Sequence, residues 1–148
     1  MGFKTISAFA LVGLLTLGAG LSTAQDAAPT LTPEEAWTMR IALMRSNNMT
    51  MRGAADLTGD AAIAAMTTMV SNFQTIPTLF PEGPIPPESG ALPAIWEDFD
   101  AFTAIAESGE EAAQAGLDAA TAGDMAAYIE AVGQIGQVCD TCHQQFRS

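Results

Sequence analysis

The sequence Cys139-Asp140-Thr141-Cys142-His143, close to the C-terminus, constrains this chain more than any other feature. Two thiols that are separated by two residues and followed at once by histidine are the attachment pattern of a c-type haem. Each thiol can add to one vinyl group of the porphyrin, and the imidazole can bind the iron. His143 is the only histidine in the sequence, so no other imidazole competes for that iron. The motif therefore predicts one covalent haem c, held by Cys139 and Cys142, with His143 as the proximal iron ligand.

Three other interpretations of the cysteines fit the sequence less well. A thioredoxin-like redox pair is typical of a βαβ setting, and no strand pattern precedes Cys139. A structural zinc site usually has four Cys or His ligands, whereas this sequence has two cysteines and one histidine. A disulfide between Cys139 and Cys142 closes a short loop and gains little stability from loop-closure entropy. An export signal at the other end of the chain favours haem attachment further.

Residues 1–24 have the pattern of a signal peptide. Lys4 gives a positive start, an apolar stretch follows at 6–21, and small residues precede the bond after Ala24. The stretch is short and glycine-rich for a membrane span, so we predict cleavage after Ala24 and a mature domain at 25–148. No later segment is long and apolar enough to cross a bilayer. We therefore expect a periplasmic domain without a membrane span, since c-type haem is attached outside the bacterial cytoplasm.

The chain is strongly acidic, with a formal net charge of −12. Cleavage after Ala24 removes the only lysine and no acidic residue, so the mature domain is one unit more negative still. Such a surface repels nucleic acid and anionic lipid headgroups. It predicts a redox partner protein with a basic docking patch, whose encounter with this chain would be faster at low salt. The cations that remain are Arg40, Arg45, Arg52 and Arg147.

The spacing of apolar residues predicts four amphipathic helices and no strand. A capping box formed by Thr32 and Glu35 marks the start of the first helix, and Pro77 marks the end of the second. Several prolines make residues 78–93 a long loop. Gly123 ends the third helix just before the fourth begins. We thus expect an all-α, antiparallel four-helix bundle, with helices at residues 33–55, 59–75, 93–122 and from 125 onward.

Each predicted helix has apolar residues at steps of three and four, which we expect to face the core. Gly109 and Gly116 are expected to weaken the third helix, because glycine is a poor helix former. The expected core-facing residues are Trp37, Ile41, Met44, Asn48 and Met51 in the first helix; Ile63, Met66, Met69 or Val70, Phe73 and Ile76 in the second; Ile95, Phe99, Phe102 and Ala106 in the third; and Met125, Ile129, Val132, Ile135 or Gly136, and Cys139 in the fourth.

Four patterns are spread along the mature domain: Arg40-x-x-x-Met44, Leu79-Phe80-Pro81-Glu82-Gly83, Ala94-Ile95-Trp96-x-x-Phe99 and Cys139-x-x-Cys142-His143-x-x-x-Arg147. Together they resemble one family, the class II cytochromes c, which comprises cytochrome c′ and its low-spin relatives. A CxxCH motif near the C-terminus sets this family apart from cytochromes c that carry the motif near the N-terminus.

The resemblance implies that Arg40 lies close to the haem propionates and that Arg147 flanks the proximal side of the haem. A guanidinium beside a propionate forms a charge-assisted pair, and either arginine could serve in that role. The resemblance also implies that homodimerisation, where it occurs, uses the first two helices.

The residue on the distal side of the iron, opposite His143, decides the function within this family. The resemblance places Met44 there. A methionine thioether can bind the iron and give a low-spin His/Met site suited to one-electron transfer. A bulky apolar residue, as in cytochrome c′, leaves the iron five-coordinate and open to NO or CO. We expect Met44 to be the distal ligand of an electron carrier; the alternative is a five-coordinate cytochrome c′ in which Met44 only lines the pocket.

No catalytic constellation accompanies the haem motif. The sequence has no second histidine, and it shows no Ser/His/Asp set and no glycine-rich phosphate loop. We therefore expect a binding and electron-carrier protein rather than an enzyme.

Overall fold

A computed structural model describes residues 31–148, and in this part of the chain four long helices form an antiparallel bundle. Short 3₁₀ turns follow the first and second of them, and an isolated bridge between Ala91 and Arg147 is the only strand-like pairing among the described residues. This confirms the expected all-α bundle. The helices are α1 (Pro33–Met51), α2 (Gly59–Thr75), the single-turn α3 (Ala94–Glu97), α4 (Phe99–Ala122) and α5 (Met125–Phe146).

The predicted signal peptide at 1–24 lies outside the described residues. Within residues 31–148, no helix has the length and apolar character that a bilayer span requires.

The predicted helix boundaries are confirmed where local signals are strong. The Thr32 hydroxyl accepts a hydrogen bond from the Glu35 amide, and the Glu35 carboxylate accepts one from the Thr32 amide at 2.9 Å, which completes the capping box. α2 ends at Thr75, just before Pro77. Gly123 ends α4 with a φ of 74°, in the left-handed region that glycine adopts without strain, and Asp124 caps α5.

Two predicted boundaries are wrong. α1 ends at Met51 rather than near Ala55, because a 3₁₀ turn replaces its last predicted turn. The predicted third helix is broken at Asp98, which has a φ of −141° and a ψ of 70°. The Asp98 carboxylate accepts a hydrogen bond from the Ala101 amide and so starts a new helix. The break rotates Phe99 away from the predicted face, and its side chain is 38 % exposed.

The core is formed mainly by α2, α4 and α5. Met66, Met69 and Phe73 on α2 are buried as predicted. On α5, however, Ile129 is 50 % exposed, while the neighbouring Tyr128 is fully buried. The Tyr128 hydroxyl donates a hydrogen bond of 2.8 Å to the carbonyl of Ala54, in the turn after α1. This bond links α5 to the connection between α1 and α2, and it satisfies both buried polar groups.

The two glycines of α4 allow it to pack closely on its neighbours. A Cβ at Gly109 would lie 2.2 Å from the ring of Phe73, and a Cβ at Gly116 would lie 2.8 Å from the sulfur of Met66. Both glycines are buried. The residues expected to weaken this helix therefore make room for the large side chains of α2.

Candidate haem site

A cavity of about 770 Å³ lies between α1, the loop at 88–91 and the C-terminal end of α5. It brings together five of the six residues that the sequence singles out. Cys139 is not among the lining residues; it lies one helical turn before Cys142 and packs, half-buried, against the core. The five residues that line the cavity are Arg40, Met44, Cys142, His143 and Arg147.

α5 is helical through the whole CxxCH motif. Cys139 and Cys142 therefore lie about one turn apart near the end of this helix, and His143 follows Cys142 directly. Burial and the nearby Arg147 cation lower the pKa of His143, while Asp140 opposes them. The imidazole is therefore neutral near pH 7, and the neutral form is the one that can bind iron. Burial and the adjacent Cys139 raise the pKa of Cys142 to about 11, so its thiol is protonated.

α1 lines the cavity with Trp37, Ile41 and Met44, which are half-buried and recur at steps of four and three. The buried positions of α1 are instead small or polar residues, which the apolar spacing did not predict. Four of the five residues that were predicted to face the core from α1 therefore line the cavity, and Met51 packs against the core without lining it. The buried residues of α1 are Ala36, Arg40 and Asn47.

Arg40 is a buried cation held by neutral groups. Its side chain is 9 % exposed and donates hydrogen bonds to the carbonyl of Leu79 at 2.7 Å and to the hydroxyl of Ser89 at 3.0 Å. The guanidinium carbon lies 4.2 Å from the centroid of the Phe80 ring. Burial lowers the pKa of Arg40, and no carboxylate within residues 31–148 offsets this effect. A buried cation of this kind suits an anionic group of a ligand in the same cavity.

The loop that carries Ser89 is tied to the residues just after His143. The Leu92 amide donates to the Phe146 carbonyl at 3.0 Å, and the Ser148 amide donates to the Gly90 carbonyl at 2.9 Å. This pairing, together with the bond from Arg40 to Ser89, connects α1 to the C-terminal end of α5 around the cavity.

Several residues of this site were given no role from the sequence. Phe80 and Phe146 line the cavity, and Phe146 had a detectable signal, since it lies one helical turn after His143. Ser89 had none, because its loop has no periodic pattern from which a position could be predicted.

The cavity fits a haem. Its volume is within the range typical of cofactor pockets, and its walls are mainly apolar with a few convergent polar groups. In the part of the chain that is described, no three His, Cys, Asp or Glu side chains form a cluster that could hold a metal ion by themselves. A single imidazole is instead a protein ligand that suits an iron already bound by a porphyrin, and the neighbouring thiol can hold that porphyrin by a thioether bond.

Comparison with known proteins agrees with this geometry. Residues 35–147 match the family model described as Cytochrome C′. A cytochrome c-556 of Agrobacterium fabrum is 34% identical over 99% of this chain and 97% of its own length. A cytochrome c′ of Pararhodospirillum photometricum is 32% identical over 70% of this chain and 83% of its own. The crystal structure of cytochrome c′ from Rubrivivax gelatinosus has a TM-score of 0.72 to this fold at 23% identity, covering 81% of this chain and 100% of that one.

The CxxCH helix, the cavity beside it and these matches along the domain lead to one conclusion: the chain belongs to the cytochrome c′ family and is a monohaem c-type cytochrome whose cofactor is covalent haem c.

Proposed function

We propose that this cytochrome exchanges single electrons through its haem and leaves the distal side of the iron open to a small gas molecule such as NO or CO. The family model and the relatives named cytochrome c′ favour this function over permanent ligation by Met44. A variant of the cytochrome c′ from Alcaligenes xylosoxidans, similar in fold and 23% identical, has been solved as a nitric oxide complex. The main supporting observation is that His143 faces a cavity with no second imidazole, whose α1 wall is Trp37, Ile41 and Met44.

In this proposal each residue of the site has one role. Cys139 and Cys142 hold the haem by thioether bonds, and His143 binds the iron. Bound haem supplies an iron that takes up or releases one electron and can bind a diatomic gas. Arg40 offers its buried guanidinium to a propionate, because its two hydrogen bonds go to neutral acceptors that leave its charge uncompensated. Arg147 lies at the cavity next to His143 and is the second candidate partner for a propionate.

The second candidate function is that of a low-spin electron carrier, with Met44 as the distal ligand. One observation favours it. Met44 is half-buried in the wall of the cavity, whereas Met49, the other methionine that lines it, is 75 % exposed. A thioether bound to the iron would exclude gas and would raise the reduction potential relative to an open site.

An optical titration with CO distinguishes the two functions. If the distal side is open, the ferrous haem-loaded protein is expected to give a high-spin spectrum that shifts fully with CO, and Met44→Leu is expected to change it little. If Met44 binds the iron, the unmodified protein gives a low-spin spectrum without a CO response, and Met44→Leu converts it to a CO-binding form.

The matched control is Met39→Leu. Met39 is also on α1 but is 46 % exposed and is not among the cavity residues, so its replacement should leave either spectrum unchanged. A low-spin spectrum of the unmodified protein that does not change when CO is added would contradict the open-site proposal and establish the second candidate function.

We further propose that the protein is exported to the periplasm, on the strength of the signal-peptide pattern at 1–24. N-terminal sequencing of the haem-loaded protein from a bacterial host is expected to begin at Gln25. A mature protein that still begins at Met1 would contradict cleavage.

Homodimerisation through α1 and α2 stays a prediction, which sedimentation of the haem-loaded protein would test.

A further inference from the structure

Positive charge in this protein is concentrated at the haem cavity. Every lysine or arginine within residues 31–148 lines that cavity, whereas Glu88 is the only acidic side chain among the lining residues. The other acidic residues lie elsewhere on a chain whose formal net charge is −12. The cavity is therefore a local positive region on an otherwise negative protein. The lining cations are Arg40, Arg45, Arg52 and Arg147.

Two of these arginines are candidate partners for the haem propionates, and two are not. Arg40 is buried and hydrogen-bonded, and Arg147 lies beside His143, where it is the second candidate partner for a propionate. Arg45 is exposed on α1 and Arg52 is exposed at the C-cap of this helix, and neither makes a side-chain hydrogen bond within the described part of the chain. Their charge is therefore available to a molecule that approaches from solvent.

Arg45, Met49 and Arg52 form a continuous strip, here called the α1 rim. Arg45 and Met49 are four residues apart on one face of α1, Arg52 is the residue that caps the end of this helix, and all three line the cavity. Met49 is 75 % exposed, which is unusual for a large apolar side chain. Arginine and methionine are both enriched in protein interfaces relative to other surfaces. The α1 rim thus has the composition of a docking surface at the edge of the cavity.

We propose that the α1 rim docks an acidic patch on the protein that exchanges electrons with this cytochrome. Carboxylates of the partner pair with the guanidinium groups of Arg45 and Arg52, and Met49 packs against an apolar residue between them. The proposal rests on the proposed function only in requiring electron exchange through the haem. It holds whether or not Met44 binds the iron.

This partner has the opposite charge from the one that the net charge predicts. Salt screening explains why the local charge should prevail. The Debye length is about 8 Å at physiological ionic strength, so a partner docked at the cavity responds to the nearest charges more than to distant carboxylates. Net charge governs long-range approach, whereas the α1 rim governs the contact itself.

The rate of electron exchange with small charged reagents depends on the charge of the surface at which they contact the protein. The ferrous haem-loaded protein is mixed with hexacyanoferrate(III), an anion that accepts its electron, or the ferric protein with hexaammineruthenium(II), a cation that donates one, at increasing NaCl. We expect the rate constant with hexacyanoferrate to fall about twofold or more between roughly 10 and 200 mM salt, because screening weakens its attraction to the α1 rim. A rate constant that rises with salt would show repulsion at the contact and overturn the proposal.

Two double variants with equal changes of net charge locate the effect. Arg45→Gln/Arg52→Gln removes two positive charges from the α1 rim. Ala126→Glu/Ala127→Glu adds two negative charges at exposed positions in the first turn of α5, at the other end of that helix from His143. The rim variant is expected to react with hexacyanoferrate about fivefold more slowly at low salt and to lose most of the salt dependence. The control variant is expected to react less than about twofold more slowly than the unmodified protein. Equal slowing of both would mean that net charge alone is responsible and would overturn the proposal.

Poly-glutamate serves as a probe for an acidic partner. It is expected to slow the hexacyanoferrate reaction of the unmodified protein and to have little effect on the rim variant. Slowing by poly-lysine alone would support a basic partner and overturn the proposal. Failure of the proposed function looks different, because a protein without redox-active haem would give no electron exchange with either reagent.

Discussion

The variant Cys139→Ala/Cys142→Ala is expected to contain no covalent haem when it is produced in a host that attaches haem c. Without the two thiols neither thioether can form, and His143 alone would hold the iron by a single exchangeable bond. The measurement is haem staining after denaturing electrophoresis, where the double variant should give no band. The single variants Cys139→Ala and Cys142→Ala should each keep one thioether and a weaker band.

The control for this experiment lies between the two cysteines. Asp140 and Thr141 are exposed, so Asp140→Ala and Thr141→Ala should leave the thiols, the helix and the haem content unchanged. A covalent haem band in the double cysteine variant would show that the attachment site lies elsewhere and would contradict the assignment of the motif. Loss of haem in the Asp140 or Thr141 variants would show that α5 itself is disrupted.

Gly109→Ala is expected to lower the free energy of unfolding by about 2 kcal/mol or more, which is the usual cost of overpacking a rigid core site. The new Cβ would lie 2.2 Å from the Phe73 ring, so the ring or α4 must move. The gain in helix propensity from glycine to alanine is only about 1 kcal/mol and does not offset this cost. Chemical denaturation of the haem-loaded protein, followed by circular dichroism, gives the change directly.

Gly133→Ala is the matched control, since Gly133 is also in a long helix but a Cβ added there would meet no atom of a neighbouring element within 4 Å. It should raise the free energy of unfolding by about 0.5–1 kcal/mol through helix propensity alone. Gly116→Ala should cost less than Gly109→Ala, because the flexible Met66 side chain can move aside. A Gly109→Ala protein as stable as the Gly133→Ala protein would contradict the close packing of α4 on Phe73.

The signals that act within a few residues were sufficient to predict much of this protein. The capping box at Thr32 and the helix ends at Pro77 and Gly123 each depend on local hydrogen bonding or on backbone geometry that one residue type favours. The CxxCH motif needs no tertiary context either, because its chemistry depends on the order of five consecutive residues. The all-α bundle, its long helices and the haem followed from these features and from the apolar spacing.

Tertiary structure decided which faces meet and which residues surround the cavity. Neighbouring helix positions differ by about 100° in direction, so apolar spacing alone did not establish that Tyr128 is buried and Ile129 exposed. Gly109 was expected to weaken its helix, and only the tertiary structure shows that it makes room for the ring of Phe73. Arg45 and Arg52 were given no role from the sequence, yet the bundle brings them to the same cavity as His143. Contacts of this kind join residues far apart in the chain, and their energies depend on shape and charge in three dimensions, which no local pattern records.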